Sequence, residues 1–221
     1  MKTKTKQRGF TLIELLVVIT IIAILASVSV PVFGSIQRRA KINKSLQHAK
    51  QIFYALRVYA GDEGGLYPGG ETANEAFAEL VDQIGSEKIF YVAGCPWHGD
   101  SNSKTFKGPD DLWEDSEPPG EALGPGENHY SYALGQRDDS EATIPLIASG
   151  FSETTGQYTE DVKKVGGVWE GKNCIVIFCD GSGESPKLRK RDNFRYMKER
   201  GGTKFDVFNE DNLEWVNPER G

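Results

Sequence analysis

From Leu15 to Gln37 the chain carries no charged side chain, a run of 23 residues dominated by Leu, Ile, Val and Ala. Wound as a helix, that run rises about 34 Å at about 1.5 Å per residue. A hydrocarbon core is about 30 Å thick, so the segment 10–33 is expected to form a membrane-crossing helix. Lys2, Lys4, Lys6 and Arg8 precede it with no intervening acid. A secretory signal has a shorter apolar core followed by a small-residue cleavage site; here the core is longer and the small residue, Gly9, comes before it. Glu14 lies inside the apolar segment, four residues after Phe10. A carboxylate at the centre of such a helix costs about 2.5–3.5 kcal/mol, and less near the first turn, where it meets the positive helix end. Arg38, Arg39, Lys41 and Lys44 follow the segment, so flanking charge does not set an orientation.

Beyond Pro31 the helix is expected to continue in amphipathic form. Ile42, Leu46, Ala49, Phe53, Leu56 and Ala60 recur every three or four residues, with Lys41, Lys44, Lys50 and Arg57 off that stripe, the pattern of a helix packed on a body. Gly61, Gly64 and Gly65 supply the stop. A second helix is marked by the capping box Thr72-x-x-Glu75, with Ala73, Ala76, Phe77, Leu80, Val81 and Ile84 on one face and Gly85 after it. Strands are expected at 88–93, 129–134, 144–148, 173–179, 184–188, 205–208 and 213–216, where short apolar or alternating runs stand between turn residues. The 25 glycines and 10 prolines suit a loop-rich body and not a helical bundle. The fold class expected is α+β: a long N-terminal helical stem packed on an antiparallel sheet.

The run Arg8-Gly9-Phe10-Thr11-Leu12-Ile13-Glu14, with the apolar residues after it, resembles the processing and methylation motif of type IV prepilins and type II secretion pseudopilins. The resemblance covers residues 8–33. It implies cleavage between Gly9 and Phe10 by a prepilin peptidase, N-methylation of the new Phe10 terminus, an assembly role for Glu14, and a helix kink at Pro31. It also implies a division into a leader (1–9), a membrane and filament-core half of the stem (10–33), an amphipathic half (34–60) and a body (61–221). The chain would rest in a bacterial inner membrane as a single-pass protein with a periplasmic body. It would then join a periplasmic or cell-surface filament of identical subunits, with an inner-membrane assembly platform as partner. Cleavage leaves an ammonium on Phe10, and Glu14 of a neighbouring subunit would neutralise it; an unpaired buried charge is costly, so the pair would set axial register. A minor or tip subunit, binding a surface or DNA through its body, is the alternative within the same resemblance. Shorter stretches of the body, among them 129–134 and 178–181, resemble prepilin-type proteins of environmental bacteria, although Ser149 stands where those show Asp.

Other motifs point to less. No nucleophile elbow, phosphate-binding glycine loop or paired zinc motif is present, so the chain is not expected to be an enzyme. Cys95 and His98 are spaced as a ligand pair, but no second tight pair completes a zinc site. Cys174 and Cys179, five apart on one strand, face opposite sides, so Cys95 with one of them is the disulfide expected. Asp180, Ser182 and Glu184 place oxygens at alternate positions, as a calcium loop would, yet Ca²⁺ takes six to eight and an Asp-Gly hairpin turn accounts for the same residues. Residues 109–127 hold seven acids and residues 187–200 seven bases. A net charge of −6 weighs against nucleic acid as a partner; the two segments read as a solvated loop and a charged face, or as surfaces that meet between neighbouring subunits.

Overall fold

The computed structural model of the chain describes residues 11–92, 95, 109, 123–209 and 213–219, with the side chains of residues 28–32 outside the description. It comprises two compact units, Met1–Lys41 and Ile42–Gly221.

Helix α1 runs from Leu12 to Asp62 and stays α-helical through position 31. Within the second unit its stripe is buried as the spacing predicts: Ile42, Ala49, Phe53, Leu56 and Ala60 are all in the core, and Lys41, Lys44 and Arg57 are exposed. Ile52 and Ala55 are buried as well, so the apolar face is wider than the minimal stripe, as suits a helix lying on a sheet and not a coiled-coil seam. The helix ends where Gly64 and Gly65 take positive φ (63° and 86°) and the Gly65 amide donates to the Ala60 carbonyl at 2.7 Å, capping a carbonyl that has no partner within the helix.

Helix α2 spans only Ala73–Ala78. Its start is the one expected: Glu75 N donates to Thr72 Oγ1 at 3.1 Å, and the Glu75 carboxylate accepts from Glu71 N at 2.7 Å. The chain then tightens into turns in which Leu80 N donates to Phe77 O at 3.0 Å and Val81 N to Ala78 O at 3.2 Å. Leu80 and Ile84 are buried despite the shorter helix. The strand expected at 88–93 is absent among its described residues. Ser86 Oγ caps a 3-10 turn at Glu87–Ile89, which buries Phe90 and Val92 by turning and not by extending. A short apolar run does not by its period distinguish these outcomes.

The strands, in chain order, are β1 (Tyr130–Ala133), β2 (Pro145–Ser149), β3 (Val176–Phe178), β4 (Gly183–Glu184), β5 (Met197–Arg200), β6 (Thr203–Asp206) and β7 (Trp215–Val216). Five form one antiparallel sheet in the order β4-β3-β2-β1-β7, and β5 and β6 form a separate hairpin. That hairpin turns on Gly201 and Gly202, both at positive φ (60° and 82°), the demand of a tight primed turn. β1, β2 and β3 are buried on both faces. Ile147, Ile175 and Ile177 join the stem residues in one core, whereas Ala148, Val176 and Phe178 join Phe151, Tyr158 and Phe208 in a second. Leu146 and Ile147 are neighbours yet both belong to the first core, and the β2–β3 register shifts between Pro145 and Ile147. Such a bulge is what allows two consecutive residues to share a face. The α+β fold of a helical stem on an antiparallel sheet is therefore the observed one.

The expected transmembrane helix is corrected. Among the described residues, no helix is long and apolar enough to cross a membrane. The apolar stretch is interrupted near its start by Glu14, a carboxylate that a hydrocarbon core disfavours. The localisation as a single-pass protein of a bacterial inner membrane is corrected with it.

Candidate functional site

The N-terminal end of α1 is built around one reciprocal contact. Thr11 precedes the helix, and Glu14 N donates to its Oγ1 at 3.2 Å. In return Glu14 Oε2 accepts from Thr11 N and from Thr11 Oγ1, each at 2.8 Å. This is a capping box, and it holds the carboxylate at the positive helix end. The sequence carried the signal, Thr11-x-x-Glu14, at the same spacing that marked Thr72 and Glu75. Glu14 Oε1 has no partner among the described residues and the side chain is exposed, so one carboxylate oxygen is available to a cation. Gly9 and Phe10 lie outside the described residues.

Along the following turns the large apolar side chains stand open. Leu12 is 79% exposed, Ile13 73% and Leu25 63%, and the isoleucines and valines between them are about half exposed. A contiguous apolar surface of this kind marks an interaction site. The polar residues within it are already satisfied: Thr20 Oγ1 donates to Leu16 O and Ser27 Oγ to Ile24 O, both at 2.7 Å. Their hydroxyls are folded back on their own helix and ask nothing of a partner.

The Asp180–Glu184 loop, read as a candidate calcium site, is a hairpin turn on which α1 sits. Asp180 Oδ1 accepts from Ser182 N at 2.7 Å. Glu184 Oε1 accepts from Tyr196 OH at 2.6 Å and lies 2.8 Å from Lys198 Nζ, so a lysine already holds the position of a cation. Lys198 in turn stands 4.6 Å from the centre of the Phe178 ring. A Cβ on Gly181 would come within 2.6 Å of the Phe53 ring, and one on Gly183 within 2.6 Å of Ile177 Cδ1 and 3.1 Å of Leu46 Cδ1. The glycines are there because the stem helix approaches the turn too closely for any side chain.

Cys95, Cys174 and Cys179, from which one disulfide is expected, stand as free and buried thiols. Cys95 and Cys179 lie in the stem-side core and Cys174 in the opposite one, with the sheet between them. Burial raises the Cys174 thiol far above its usual range, and burial followed by the nearby Asp180 charge pushes Cys179 up to about 11. His98 and most of the acidic segment 109–127 lie outside the described residues. Of the basic segment, Lys190 lies 3.7 Å from Glu160, and Arg195 pairs with Asp206, so part of its charge is answered within the chain. His48, on the stem helix, is half-buried against the 3-10 turn. Ser149 Oγ accepts from Trp169 Nε1 at 3.2 Å and from Ile175 N at 2.9 Å, a role that no local spacing in the sequence signals. That one oxygen takes two buried donors. Among the described residues no three His, Cys, Asp or Glu side chains are grouped to hold a metal ion.

Comparison with known proteins bears on the N-terminal segment. The Prokaryotic N-terminal methylation motif matches residues 4–30. The chain is 46% identical over 61 residues to Prepilin peptidase-dependent protein D of Escherichia coli K12, covering 28% of this chain and 42% of that protein. It is 38% identical over 82 residues to Type II secretion system core protein G of the same organism, covering 37% and 54%. It is 36% identical over 58 residues to Type IV major pilin protein PilA of Myxococcus xanthus, covering 26% of each. The chain thus spans about a quarter to a half of the length of these relatives. Their names are those of pilin and secretion-system proteins, and none is that of an enzyme. No solved structure matches the chain. Through its N-terminal methylation motif the chain matches the type IV pilin and pseudopilin family.

Proposed function

We propose that the protein is a structural subunit of a type IV pilus-like or type II secretion-like filament. A prepilin peptidase removes residues 1–9, Phe10 becomes the methylated terminus, and the subunits polymerise through α1 with the help of an assembly machinery. The observation that carries this reading is the exposed apolar face from Leu12 to Leu25, which lies within the matched N-terminal methylation motif and is headed by a carboxylate with one open oxygen. A second copy of the same face is the cover that suits it, because each stem then hides the other's side chains from water. About 25 cal/mol is gained per Å² of apolar surface so removed. The ammonium of a neighbouring Phe10 is the cation that suits Glu14 Oε1, and pairing it inside a bundle fixes how far one stem slides along the next.

Two measurements test this. Co-expression with a prepilin peptidase is expected to shorten the chain to start at Phe10, read by intact mass, and material still starting at Met1 refutes the processing step. Processed protein is expected to be recovered in filaments that a Glu14→Gln variant fails to form although it is cleaved normally. Equal filament yield from that variant refutes the role of the acid.

A further inference from the structure

The stem explains the first core but not a cleft on the other side of the sheet. It has a volume of about 500 Å³ and is formed by the loops at 151–159, 164–165, 193–194 and 217–218. That volume lies within the range of small-molecule sites. Phe151 and Tyr158 contribute from the aromatic cluster of the second core, while Phe194, Val165 and Pro218 add further apolar surface. Around these stand the side-chain amides of Gln157, Asn193 and Asn217 and the hydroxyl of Thr154. The Gln157 and Asn193 amides and Nδ2 of Asn217 have no hydrogen-bond partner among the described residues. The charges in the lining are one Glu153 and one Lys164, which cancel.

The walls are fixed before anything binds. Ser152 donates from both N (2.8 Å) and Oγ (2.9 Å) to Gln157 O. Asn217 Oδ1 accepts from Ser131 Oγ at 2.5 Å and Phe151 N at 3.1 Å. Most telling is the corner at Asn193 and Phe194, two successive non-glycine residues at φ 53° and 55°. Left-handed backbone is disfavoured for a residue with a Cβ and uncommon for a bulky aromatic. Such conformations persist where a fold over-determines them, and they gather at ligand clamps. Here the corner sets Phe194 and Asn193 in the cleft lining.

We infer that this cleft binds a neutral saccharide. A sugar ring has an apolar C–H face that suits Phe194, Val165 and Pro218, and a rim of hydroxyls that suits unpaired amides able both to donate and to accept. A phosphorylated or acidic ligand would require an excess of cations, and Lys164 is offset by Glu153. A peptide that adds to a sheet would require an open strand edge, and no lining residue belongs to a named strand.

The test is to apply the full-length chain, in mild detergent to keep α1 in solution, to an array of neutral hexose and N-acetylhexosamine oligosaccharides. Acidic glycans and a peptide library are spotted alongside. Retention on neutral glycans is expected. Phe194→Gly is expected to weaken it about tenfold or more, with thermal unfolding read alongside to show that the variant is folded, since glycine is at ease at φ 55° but the packing of the ring on the second core is lost. Gln157→Ala is expected to weaken it as well. No retention on neutral glycans, a preference for acidic glycans or peptides, or unchanged binding by Phe194→Gly would each overturn the inference. Neither residue belongs to the stem, so these outcomes leave the polymerisation reading to its own tests.

Discussion

Replacing Gly181 by alanine isolates the contact that seats the stem on the sheet. Gly181 has φ 78°, where an L-residue costs about 1–2 kcal/mol. Its new Cβ would also fall 2.6 Å from Phe53 Cε1, and Phe53 is only 5% exposed, so the ring has nowhere to swing. Forcing a methyl into a packed core costs about 1–3 kcal/mol. The sum, about 2–5 kcal/mol, is a large part of an ordinary domain stability of 5–15 kcal/mol. It corresponds to a fall in Tm of about 4–20 °C for a chain of this length. Gly201→Ala is the control: it shares a positive φ of 60° but would meet nothing within 4 Å, so it carries the backbone cost alone. Thermal unfolding by circular dichroism reads both. Combining Gly181→Ala with Phe53→Leu is expected to recover part of the loss, because contacting sites are not additive. If Gly181→Ala and Gly201→Ala destabilise equally, the close approach of stem and turn is refuted.

Other outcomes follow from the same packing. Leu56→Ala, at a position fully buried on the stem, is expected to cost about 2.7–5 kcal/mol in denaturant unfolding. Ser149→Ala would leave the Trp169 indole N–H and the Ile175 amide without their acceptor, at about 1–3 kcal/mol for each orphaned group; Ser149→Thr keeps the acceptor and tests whether the oxygen is what matters. Alkylation followed by mass measurement is expected to find three free thiols in denaturant and slow reaction at pH 8 in the folded chain, as burial raises both Cys174 and Cys179. Burial, and then the Lys44 charge, hold His48 below its usual value of 6.5. The unfolded chain therefore takes up the proton first, so this contribution to stability is complete above about pH 6.5 and is lost as pH falls toward the folded value. His48→Gln is expected to flatten that part of a Tm-against-pH curve, and an unchanged slope would argue against the burial of the imidazole.

The amino-acid sequence by itself determined the elements whose cause is local. The stripe from Ile42 to Ala60 reads as a helix face because spacing of three and four residues is helical geometry and nothing else. Thr72 and Glu75 start α2 because their side chains bond amides one turn away. Cys174 and Cys179 face opposite cores because strand side chains alternate. The cap at Thr11 and Glu14 is equally local, its two residues standing at the same spacing as Thr72 and Glu75. What only the tertiary structure decided depends on partners distant in sequence. The glycines at 181 and 183 are required by Phe53 and Leu46, more than 120 residues earlier. Residues 87–89 turn instead of extending because Ser86 caps them, and the buried faces of Phe90 and Val92 are served either way. Cys174 stays apart from Cys95 and Cys179 because a sheet stands between two cores, and the cleft exists because four separate loops converge beside the second one. Local geometry is written in neighbouring residues; close approach, exclusion and convergence are set only when the chain has closed on itself.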